Sequence, residues 1–354
     1  MKIVQVGIYP PPLGGISVHI KRLKQRLEEN GHECIVFNEG TYFNARINVF
    51  TFNKYSLLFK LLFIKADVYH FHTINIKIRM LLGLFKKILK KKVVLTIHGN
   101  SLIDQLNKHK GIRKKILIKS LLKIDHIICV NDNTRTRLIE MGFNKDKVST
   151  IPSFIKPIEI EDDIKKIPKE VWDFIKSQKF LITANGNIRF YNNTDLYGID
   201  MLIELIDSLN KNGYDVGLLF ALLGVESQNN EERNYYETLK GKIQSLGLQE
   251  KIYFFEVKDS EFYPILNKSH LFIRPTCVDG FGVSISEALS QGVPAIASDV
   301  CKRPEGTLLF SSRDMLDLTK KTTDIINRYE YYKKIEEQNY PEDYFRKVLE
   351  IYKK

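Results

Sequence analysis

The segment from Asp279 to Glu287 brings two carboxylates, two glycines and the start of a helical pattern together within nine residues. Glycine has no side chain, so a ligand can approach the backbone closely. The first turn of a helix presents unpaired N–H groups and a partial positive charge, both of which suit a phosphate. Carboxylates accept hydrogen bonds from hydroxyl groups. This combination indicates a sugar nucleotide as the ligand of the segment.

A purely structural interpretation of the same segment is open from spacing alone. Ser284 and Glu287 form a Ser-x-x-Glu pattern, which is the signature of a capping box at a helix start. Asp279 can equally be a loop carboxylate that accepts hydrogen bonds from nearby backbone N–H groups. The pattern therefore predicts either a binding site or a capped helix.

Gly14 and Gly15 follow a predicted strand and precede a predicted helix. Their backbone N–H groups are placed to bind a phosphate, or the pair simply forms a tight turn. The surrounding sequence lacks the G-x-G-x-x-G pattern of dinucleotide-binding folds, which argues against a nicotinamide-dependent dehydrogenase.

His98 stands at the end of a predicted strand and next to a glycine, where a side chain is well placed to contact a substrate. A solvated turn histidine is the alternative. His70 and His72 lie on one face of another strand, and either or both can be structural. No pair of histidines has the sequence spacing of a zinc site, so no metal is expected.

Arg189, Arg274 and Arg303 lie at the ends of predicted strands or in the loops that follow them. Arginine binds phosphate oxygens in pairs, so these residues are candidates for neutralising a diphosphate. A solvated surface charge is the ordinary alternative. Arg274 ends an apolar strand directly before a proline, so a solvent-exposed side chain without a role is less expected at this position.

Short apolar strands alternate with helical patterns in two series, which is typical of parallel βαβ units. The ten predicted strands span residues 3–8, 34–37, 67–72, 93–97 and 126–130, then 180–184, 217–223, 252–255, 271–273 and 293–297.

Two prolines between residues 151 and 157 mark a hinge between the two series. We therefore expect an α/β chain of two doubly wound Rossmann-like domains that face a cleft. The predicted boundaries are 1–155, 156–335 and a C-terminal helical tail over 336–354 that can return to the first domain. Folds of this class bind ligands at the carboxyl ends of their strands.

The composition, with 44% hydrophobic and 27% charged residues in 354, is that of a globular protein. No stretch approaches the roughly 18 apolar residues of a membrane span. The N-terminus has the pattern of a strand, not that of a signal peptide. Four scattered cysteines give no disulfide or metal pattern. These features predict a cytoplasmic location.

Positive charge is concentrated in the first part of the chain. Residues 1–160 hold 28 Lys and Arg against 11 Asp and Glu, for a net charge of +17, and the rest of the chain has −5. Two amphipathic tracts, 77–92 and 113–123, carry many of these cations. Such tracts suit the anionic surface of a membrane, although apolar residues at helical spacing more often pack in a core. No nucleic-acid-binding motif is present, so nucleic acid is not expected as a partner.

Several motifs together resemble the retaining glycosyltransferases of family 4, which have the GT-B fold. The resemblance covers most of the chain and rests on Gly14-Gly15 with its helix, Asn30-Gly-His-Glu33, Thr96-Ile-His-Gly99, Ile151-Pro-Ser153, the segment 275–289 and the segment 292–299. The segment 275–289 is the most specific of these. Family members carry Glu, seven residues and Glu, and here Asp279 replaces the first glutamate.

The resemblance implies a role for each matching residue. Asp279 would face the hydroxyl groups of the donor sugar, and Glu287 would accept from the ribose of the nucleotide. His98 would contact the donor sugar at the reaction centre, and Gly14 and Gly15 would lie at the diphosphate. The backbone of the first helical turn would hold sugar and diphosphate, through Phe281, Gly282, Val283 and Ser284. No metal or cofactor is implied beyond the nucleotide-sugar co-substrate.

Two positions depart from the family pattern. Family members place an arginine and a lysine after the first strand of the second domain, where this chain has Asn187 and Tyr197. Arg189 and Arg274 are the predicted substitutes for phosphate neutralisation, which makes the predicted catalytic set His98, Asp279, Arg189 and Arg274.

The segment 299–307 resembles bacterial enzymes that build cell-surface polysaccharides such as O-antigen or capsule. This implies transfer from a nucleotide sugar to a saccharide, often polyprenyl-linked, by a peripheral protein on the inner membrane face. Two alternatives stay open: a nucleotide-sugar epimerase of the same architecture, and a catalytically silent sugar-nucleotide-binding protein at the membrane.

Overall fold

The computed structural model describes residues 1–53, 56–338 and 342–354. The chain divides into two compact units. The first unit comprises Met1–Ile158 together with Asp343–Lys354, and the second comprises Glu159–Glu342.

The first unit is built on a sheet of seven parallel strands. They are β1 (Lys2–Gly7), β2 (Glu33–Asn38), β3 (Val49–Thr51), β4 (Val68–Phe71), β5 (Lys92–Ile97), β6 (His126–Cys129) and β7 (Val148–Thr150), in the spatial order β3-β2-β1-β4-β5-β6-β7. The connecting helices are α1 (Gly15–Glu29), α2 (Leu57–Phe63), α3 (Ile76–Leu89), α4 (Ser101–Lys108), α5 (Gly111–Leu121) and α6 (Asp132–Glu140). The order of the strands reverses beside β1, so β1 and β4 end at a topological switch point.

The second unit contains a six-stranded parallel sheet and a small hairpin. Its helices are α7 (Glu161–Lys165), α8 (Lys169–Ser177), α9 (Ile199–Lys211), α10 (Asn230–Ser245), α11 (Tyr263–Leu266), α12 (Val283–Ser290), α13 (Met315–Asn327) and α14 (Tyr329–Gln338). Its strands are β8 (Phe180–Gly186), the hairpin β9 (Phe190–Tyr191) and β10 (Thr194–Asp195), β11 (Val216–Leu223), β12 (Ile252–Val257), β13 (Leu271–Arg274), β14 (Ala295–Ser298) and β15 (Leu308–Phe310). The sheet order is β12-β11-β8-β13-β14-β15.

The predicted pair of doubly wound α/β domains is confirmed, and each of the ten predicted strands coincides with a strand of these sheets. The edge strands β3, β7 and β15 and the hairpin strands β9 and β10 were not predicted. The first three are three residues long and the hairpin strands are two, which is too short for an apolar run or an alternation to be recognised.

The last helix, α15 (Phe345–Lys353), packs on the sheet of the first unit. Its buried residues Phe345, Val348, Ile351 and Tyr352 share an apolar cluster with residues of β1, α1, β5 and β6. Residues 339–341 of the predicted helical tail lie outside the described residues. No helix in the described part of the chain has the length and apolarity that crossing a membrane requires.

Glu336 of α14 is a buried carboxylate, and its Oε2 has no hydrogen-bond partner among the described residues. Burial raises its pKa to about 7. Because the pKa of Glu336 is higher in the folded state than in the unfolded state, the free energy of unfolding falls as the pH rises from about 4.5 to about 7. We expect Glu336→Gln to raise the free energy of unfolding by up to roughly 3 kcal/mol at about pH 8 and by much less at about pH 5.

Chemical denaturation of both proteins at the two pH values measures this difference. Glu330→Gln on the exposed side of the same helix is the matched control and should change neither value appreciably. A gain for Glu336→Gln that is equal at both pH values would contradict the assignment to carboxylate ionisation.

Candidate functional site

Helix α12 begins without a side-chain cap. Gly282 is its N-cap residue, with φ +86°, and no side chain accepts from the first turn. The capping-box interpretation of Ser284 and Glu287 is therefore wrong, because Ser284 lies inside the helix as its second residue. Its hydroxyl instead lies 3.2 Å from Nη1 of Arg274 and accepts from it. The free N–H groups of this turn keep their capacity for an anion.

Glycine is required at position 282 for two reasons. A positive φ is unfavourable for any residue with a side chain. A Cβ here would also lie 2.5 Å from Cδ1 of Ile285 and 3.1 Å from Nη1 of Arg303. The tight fit brings the backbone of the helix start directly against the guanidinium group of Arg303.

Arg274, Asp279 and Arg303 form a compact ionic group at this helix start, here called the arginine–aspartate cluster. Oδ2 of Asp279 accepts from Nε of Arg274 at 2.5 Å and from Nη1 of Arg303 at 2.7 Å. Oδ1 accepts from the backbone N–H of Gly280 at 2.8 Å. The carboxylate is thus clamped between two guanidinium groups, and the cluster carries one surplus positive charge.

The ionisation state of Asp279 follows from this clamp. Burial opposes ionisation, but the two arginines outweigh burial and hold the pKa of Asp279 well below its usual range. In return, the pKa of Arg274 is raised by Asp279 in spite of its burial. Asp279 and Arg274 are therefore both charged at neutral pH.

Arg303 is the fixed member of the cluster, with a side chain that is only 1% exposed. Besides Asp279, it donates from Nε to the carbonyl oxygen of Ser298 at 2.9 Å and from Nη2 to the Thr276 hydroxyl at 3.0 Å. Arg303 thereby ties β14 and the segment after β13 to Asp279. Its guanidinium is committed to these partners within the protein.

Arg274 is the more accessible member, with a side chain that is 14% exposed. Its Nη1 also lies 3.3 Å from Oδ1 of Asn185, and its guanidinium lies 5.5 Å from the ring centroid of Tyr197. The Tyr197 ring packs so closely on Gly186 that a Cβ there would lie 2.2 Å from Cδ1 of the tyrosine. At the position where the family pattern has lysine, this chain therefore has an aromatic ring that supports Arg274.

Arg189 lies on the hairpin segment and has a different partner. Its Nη1 lies 3.2 Å from Oε1 of the buried Glu232, and half of its side chain is exposed. Glu232 itself belongs to the capping box of α10. The described contacts bring Arg274 and Asp279 together, and they connect Arg189 to α10 instead.

The start of α9 offers a contrast to that of α12. Asp195 accepts from the backbone N–H groups of Tyr197, Gly198 and Ile199 at 2.9–3.1 Å. A carboxylate of the protein thus already caps this helix N-terminus, whereas no side chain of the described residues caps α12. Of these two helix starts, only that of α12 is open to an external anion.

The remaining predicted donor-binding residues of the second unit lie on or beside α12. Glu287 is buried one turn beyond the helix start, with 5% of its surface exposed. Phe281 and Val283 flank Gly282 at the helix start itself, and both are partly exposed.

Gly14 and Gly15 of the first unit stand at the start of α1, where Gly14 has an extended backbone with φ −175°. A Cβ at either position would meet no atom within 4 Å. Neither the backbone conformation nor packing therefore requires glycine here, so the tight-turn interpretation loses its physical basis. Free space beside the N-terminus of a helix is what a phosphate group needs.

Three histidines of the first unit meet at the carboxyl ends of β4 and β5 and are here called the histidine cluster: His19, His72 and His98. Nδ1 of His72 lies 3.2 Å from Nε2 of His98. The ring centroid of His19 lies 5.3 Å from each of the other two. Burial lowers the pKa of His19 to about 4 and the pKa values of the other two well below their usual range. All three rings are neutral at neutral pH.

His70 lies behind this cluster and is fully buried. Its Nδ1 lies 2.5 Å from the hydroxyl of Tyr352, and its Nε2 lies 2.7 Å from that of Thr96. With both ring nitrogens engaged by the protein, His70 has a structural role. His72, on the same strand face, has its Nε2 buried without a hydrogen-bond partner among the described residues.

Two residues in or beside these clusters, Asn185 and His19, had no role predicted from the sequence. Arg303 was predicted only as a candidate phosphate ligand, not as the partner of Asp279 that it is. A signal existed for His19, which is a polar residue four positions before Leu23 on the apolar face of α1. Another existed for Arg303, which follows β14 and therefore lies beside the carboxyl end of β13. No sequence signal marked Asn185, because its contact with Arg274 depends on the pairing of β8 with β13.

Comparisons with known proteins agree with this fold. A model described as Glycosyltransferase Family 4 matches residues 13–157, and one described as Glycosyl transferases group 1 matches residues 177–340. A glycosyltransferase from Rickettsia africae superposes with a TM-score of 0.68 at 19% identity, covering 99% of this chain and 97% of that one. Anabaena HepE, solved in complex with UDP, has a TM-score of 0.68 at 16% identity, with 99% of both chains covered.

Relatives of similar sequence carry glycosyltransferase names. The phosphatidylinositol N-acetylglucosaminyltransferase gpi3 subunit of Schizosaccharomyces pombe is 22% identical over 84% of this chain and 65% of its own length. A human phosphatidylinositol N-acetylglucosaminyltransferase chain is 23% identical over 83% of this chain and 61% of its own. The chain thus spans less than two thirds of these two relatives. An uncharacterized glycosyltransferase of Methanocaldococcus jannaschii is 22% identical over 95% of this chain and 92% of its own. The two family models together span most of the chain, which is therefore a family 4-like glycosyltransferase with the GT-B fold.

Proposed function

We propose that this glycosyltransferase moves a sugar, with retention of anomeric configuration, from a nucleotide-sugar donor to a lipid-linked saccharide in cell-surface polysaccharide assembly. One observation carries the donor part of the proposal: the uncapped start of α12, with Arg274 held against its second residue by Asp279. This arrangement offers backbone N–H groups, a helix dipole and one surplus positive charge to a diphosphate.

The chemistry asked of the site is the departure of a nucleoside diphosphate. The bond between the anomeric carbon and the diphosphate oxygen breaks, and the acceptor hydroxyl forms the new bond on the same face of the sugar. The proton of the acceptor passes to the departing phosphate oxygen. Fixed positive charge beside that oxygen stabilises the transition state, so Arg274 and the start of α12 can supply the role that a metal has elsewhere. The transfer is proposed to need no metal and no cofactor.

The other predicted residues take the following proposed roles. Glu287 accepts hydrogen bonds from the nucleotide ribose, and Asp279 fixes the guanidinium of Arg274 in addition to facing the donor sugar. In the first unit, Gly14 and Gly15 leave room for a phosphate, and His98 contacts the donor sugar as a neutral hydrogen-bonding group. Arg189 is held by Glu232, so Arg274 is the better candidate for phosphate neutralisation.

Two findings from the comparisons support the choice of ligands. Anabaena HepE was solved with UDP and with UDP-glucose, which favours a uridine nucleotide as the first donor to test. The names of the phosphatidylinositol N-acetylglucosaminyltransferases include a lipid, which favours a lipid-linked molecule as the acceptor of the sugar.

A location on the inner face of the membrane is part of the proposal, and the surface of the first unit supports contact with an anionic membrane. Exposed apolar side chains lie among lysines on α2, α3 and α5. Helix α2 packs on α3, and α3 packs on α5. The exposed apolar side chains are Phe59, Leu62 and Phe63 on α2, Leu81, Leu84 and Ile88 on α3, and Ile112 and Ile116 on α5. Exposed apolar groups interleaved with cations suit the boundary between lipid headgroups and acyl chains.

The donor proposal is tested by titrating the protein with UDP and a panel of nucleotide sugars while following thermal unfolding. A ligand bound by the folded state alone raises the unfolding temperature. Glu287→Gln should weaken this stabilisation and leave the ligand-free unfolding temperature within a few degrees. If no nucleotide or nucleotide sugar shifts the unfolding temperature, the proposal is rejected.

Product analysis separates the two alternatives. An epimerase converts the donor sugar without any acceptor, and a silent binding protein is stabilised by the donor but transfers to no lipid-linked saccharide. Formation of a new glycosidic bond on a polyprenyl-diphosphate saccharide, with the donor stereochemistry retained, is the result that the proposed function requires.

The structure selects the lysines for a membrane test. In the tract 77–92, Arg79 is fully buried, Lys86 pairs with Asp125 at 2.7 Å, and Lys92 donates to the carbonyl oxygen of Ile351 at 2.8 Å. The exposed cations Lys87, Lys90 and Lys91 remain available, together with Lys77.

Replacing Lys87, Lys90 and Lys91 by glutamine should weaken binding to anionic vesicles roughly 100-fold, because each cation near such a surface contributes about 1 kcal/mol. Co-sedimentation with phosphatidylserine-containing vesicles measures the change, and vesicles of neutral lipid should bind both proteins equally. The matched control replaces three exposed lysines of the second unit, Lys176, Lys242 and Lys258. Equal loss in both triple variants would show that net charge alone, and not this face, sets the binding.

A further inference from the structure

We infer that the histidine cluster, His19, His72 and His98, is a binding site for one soft divalent cation such as Zn²⁺. Its three residues come from α1 and from the ends of β4 and β5, and each offers one ring nitrogen. These ligand atoms all lie within 4.8 Å of one another. Because the three histidines are far apart in the sequence, they form no motif with the spacing typical of zinc ligands.

The ring geometry matches that of a tetrahedral metal site. An ion with metal–nitrogen bonds of about 2.0–2.1 Å holds the ring centroids of two histidine ligands about 5.2 Å apart and their nitrogens about 3.3 Å apart. The three centroid distances in the cluster are 5.3, 5.3 and 5.5 Å. The separation of Nδ1 of His72 from Nε2 of His98 is 3.2 Å. The three ligand atoms lie within 4.8 Å of one another, so binding draws the third nitrogen closer by up to about 1.5 Å.

Each ring is prepared for coordination by its surroundings. Nδ1 of His19 lies 2.7 Å from the carbonyl oxygen of Ser153 and donates to it, which leaves Nε2 with a free lone pair. His72 is 1% exposed, and its Nδ1 faces Nε2 of His98 at 3.2 Å, so these two nitrogens already lie at the separation of neighbouring ligands of one ion. His98 is partly exposed, so the ion has a path of entry.

The charge environment selects the type of ion. The ligands are neutral nitrogens, and the guanidinium groups of Arg22 and Arg79 act electrostatically on His19 and His98 respectively. Among the described residues the cluster supplies ring nitrogens and no oxygen ligand, which does not suit Mg²⁺ or Ca²⁺. Zn²⁺, Co²⁺, Ni²⁺ and Cu²⁺ form strong bonds to imidazole, and among these Zn²⁺ prefers three or four tetrahedral ligands.

Metal binding at this position has a functional consequence, which rests on the proposed function. Competition requires the donor sugar to contact Nε2 of His98, the nitrogen that faces Nδ1 of His72; one nitrogen cannot bind both, so the ion and the donor then compete. We expect micromolar Zn²⁺ to raise the KM for the donor, a chelator to reverse this, and Mg²⁺ to have no effect. The transfer itself stays independent of metal.

Titration of the metal-free protein with Co²⁺ tests the site without any substrate. The expected result is one equivalent bound, with the intense visible absorption bands of tetrahedral Co²⁺, which Zn²⁺ then displaces. His98→Ala and His19→Gln should each weaken binding at least about tenfold and remove these bands. The control His109→Ala removes a histidine at the end of α4, outside the cluster, and should leave the titration unchanged.

Folding of the variants is checked by circular dichroism and by the metal-free unfolding temperature. Absence of tetrahedral bands in the wild-type protein overturns the inference, and so does equal binding by wild type and by a folded His98→Ala variant. Metal binding without competition against the donor would leave the site in place and refute only the placement of His98 at the donor.

Discussion

Replacing Arg274 by alanine is expected to lower kcat about 10²–10³-fold, because the departing diphosphate then loses its accessible cation. Arg274→Lys should recover part of this loss, since lysine keeps the charge but lacks the planar fork that meets both Asp279 and Ser284. Arg303 still pairs with Asp279 in either variant, so the fold should survive. Steady-state kinetics with a nucleotide-sugar donor measures kcat and KM separately.

Arg313→Ala is the matched control for this experiment. Arg313 also pairs with an aspartate of the second unit, Asp200, but does so outside the arginine–aspartate cluster. Its removal should change kcat by less than about threefold. If Arg274→Ala and Arg313→Ala reduce kcat equally, Arg274 contributes no more to catalysis than the ion pair of Arg313 does. Another group must then neutralise the phosphate.

Periodicity in the sequence was sufficient to predict the parallel sheets, because central strands of α/β folds are buried on both faces and appear as continuous apolar runs. The strand pattern of Leu271–Arg274, followed directly by proline, likewise singled out Arg274, which the structure pairs with Asp279. These are local signals, in which the chemistry and the pattern lie within a few residues of each other.

Contacts between distant segments could not be predicted in the same way. Asp279 and Arg303 are 24 residues apart and meet only because β13 pairs with β14 and aligns the loops that follow them. The histidine cluster depends on the packing of α1 beside the carboxyl ends of β4 and β5. The Ser-x-x-Glu pattern misled for a related reason: spacing alone cannot tell whether Ser284 stands before the helix or inside it.

Asp279→Asn is expected to lower the free energy of unfolding by about 3 kcal/mol at neutral pH, because it leaves two guanidinium groups together without an anion. The folded pKa of Asp279 lies below its unfolded value, so its carboxylate stabilises the fold above the unfolded pKa of about 3.9. This contribution is lost as pH falls through the folded pKa. The difference between wild type and Asp279→Asn should therefore shrink in acid, which denaturant titrations at about pH 7 and about pH 3 can measure.

A double-mutant cycle with Arg303→Met isolates the pair within this loss. Arg303 touches Asp279 directly, so the two changes should be non-additive by about 1–3 kcal/mol, whereas a cycle of Asp279→Asn with Arg313→Ala should be additive. A diphosphate ligand adds an independent check, since its anionic oxygens can substitute for the missing carboxylate. If it binds beside Arg274, UDP should raise the unfolding temperature of Asp279→Asn by more than that of wild type. A smaller rise in the variant would mean that Asp279 contacts the ligand more than it positions the arginines.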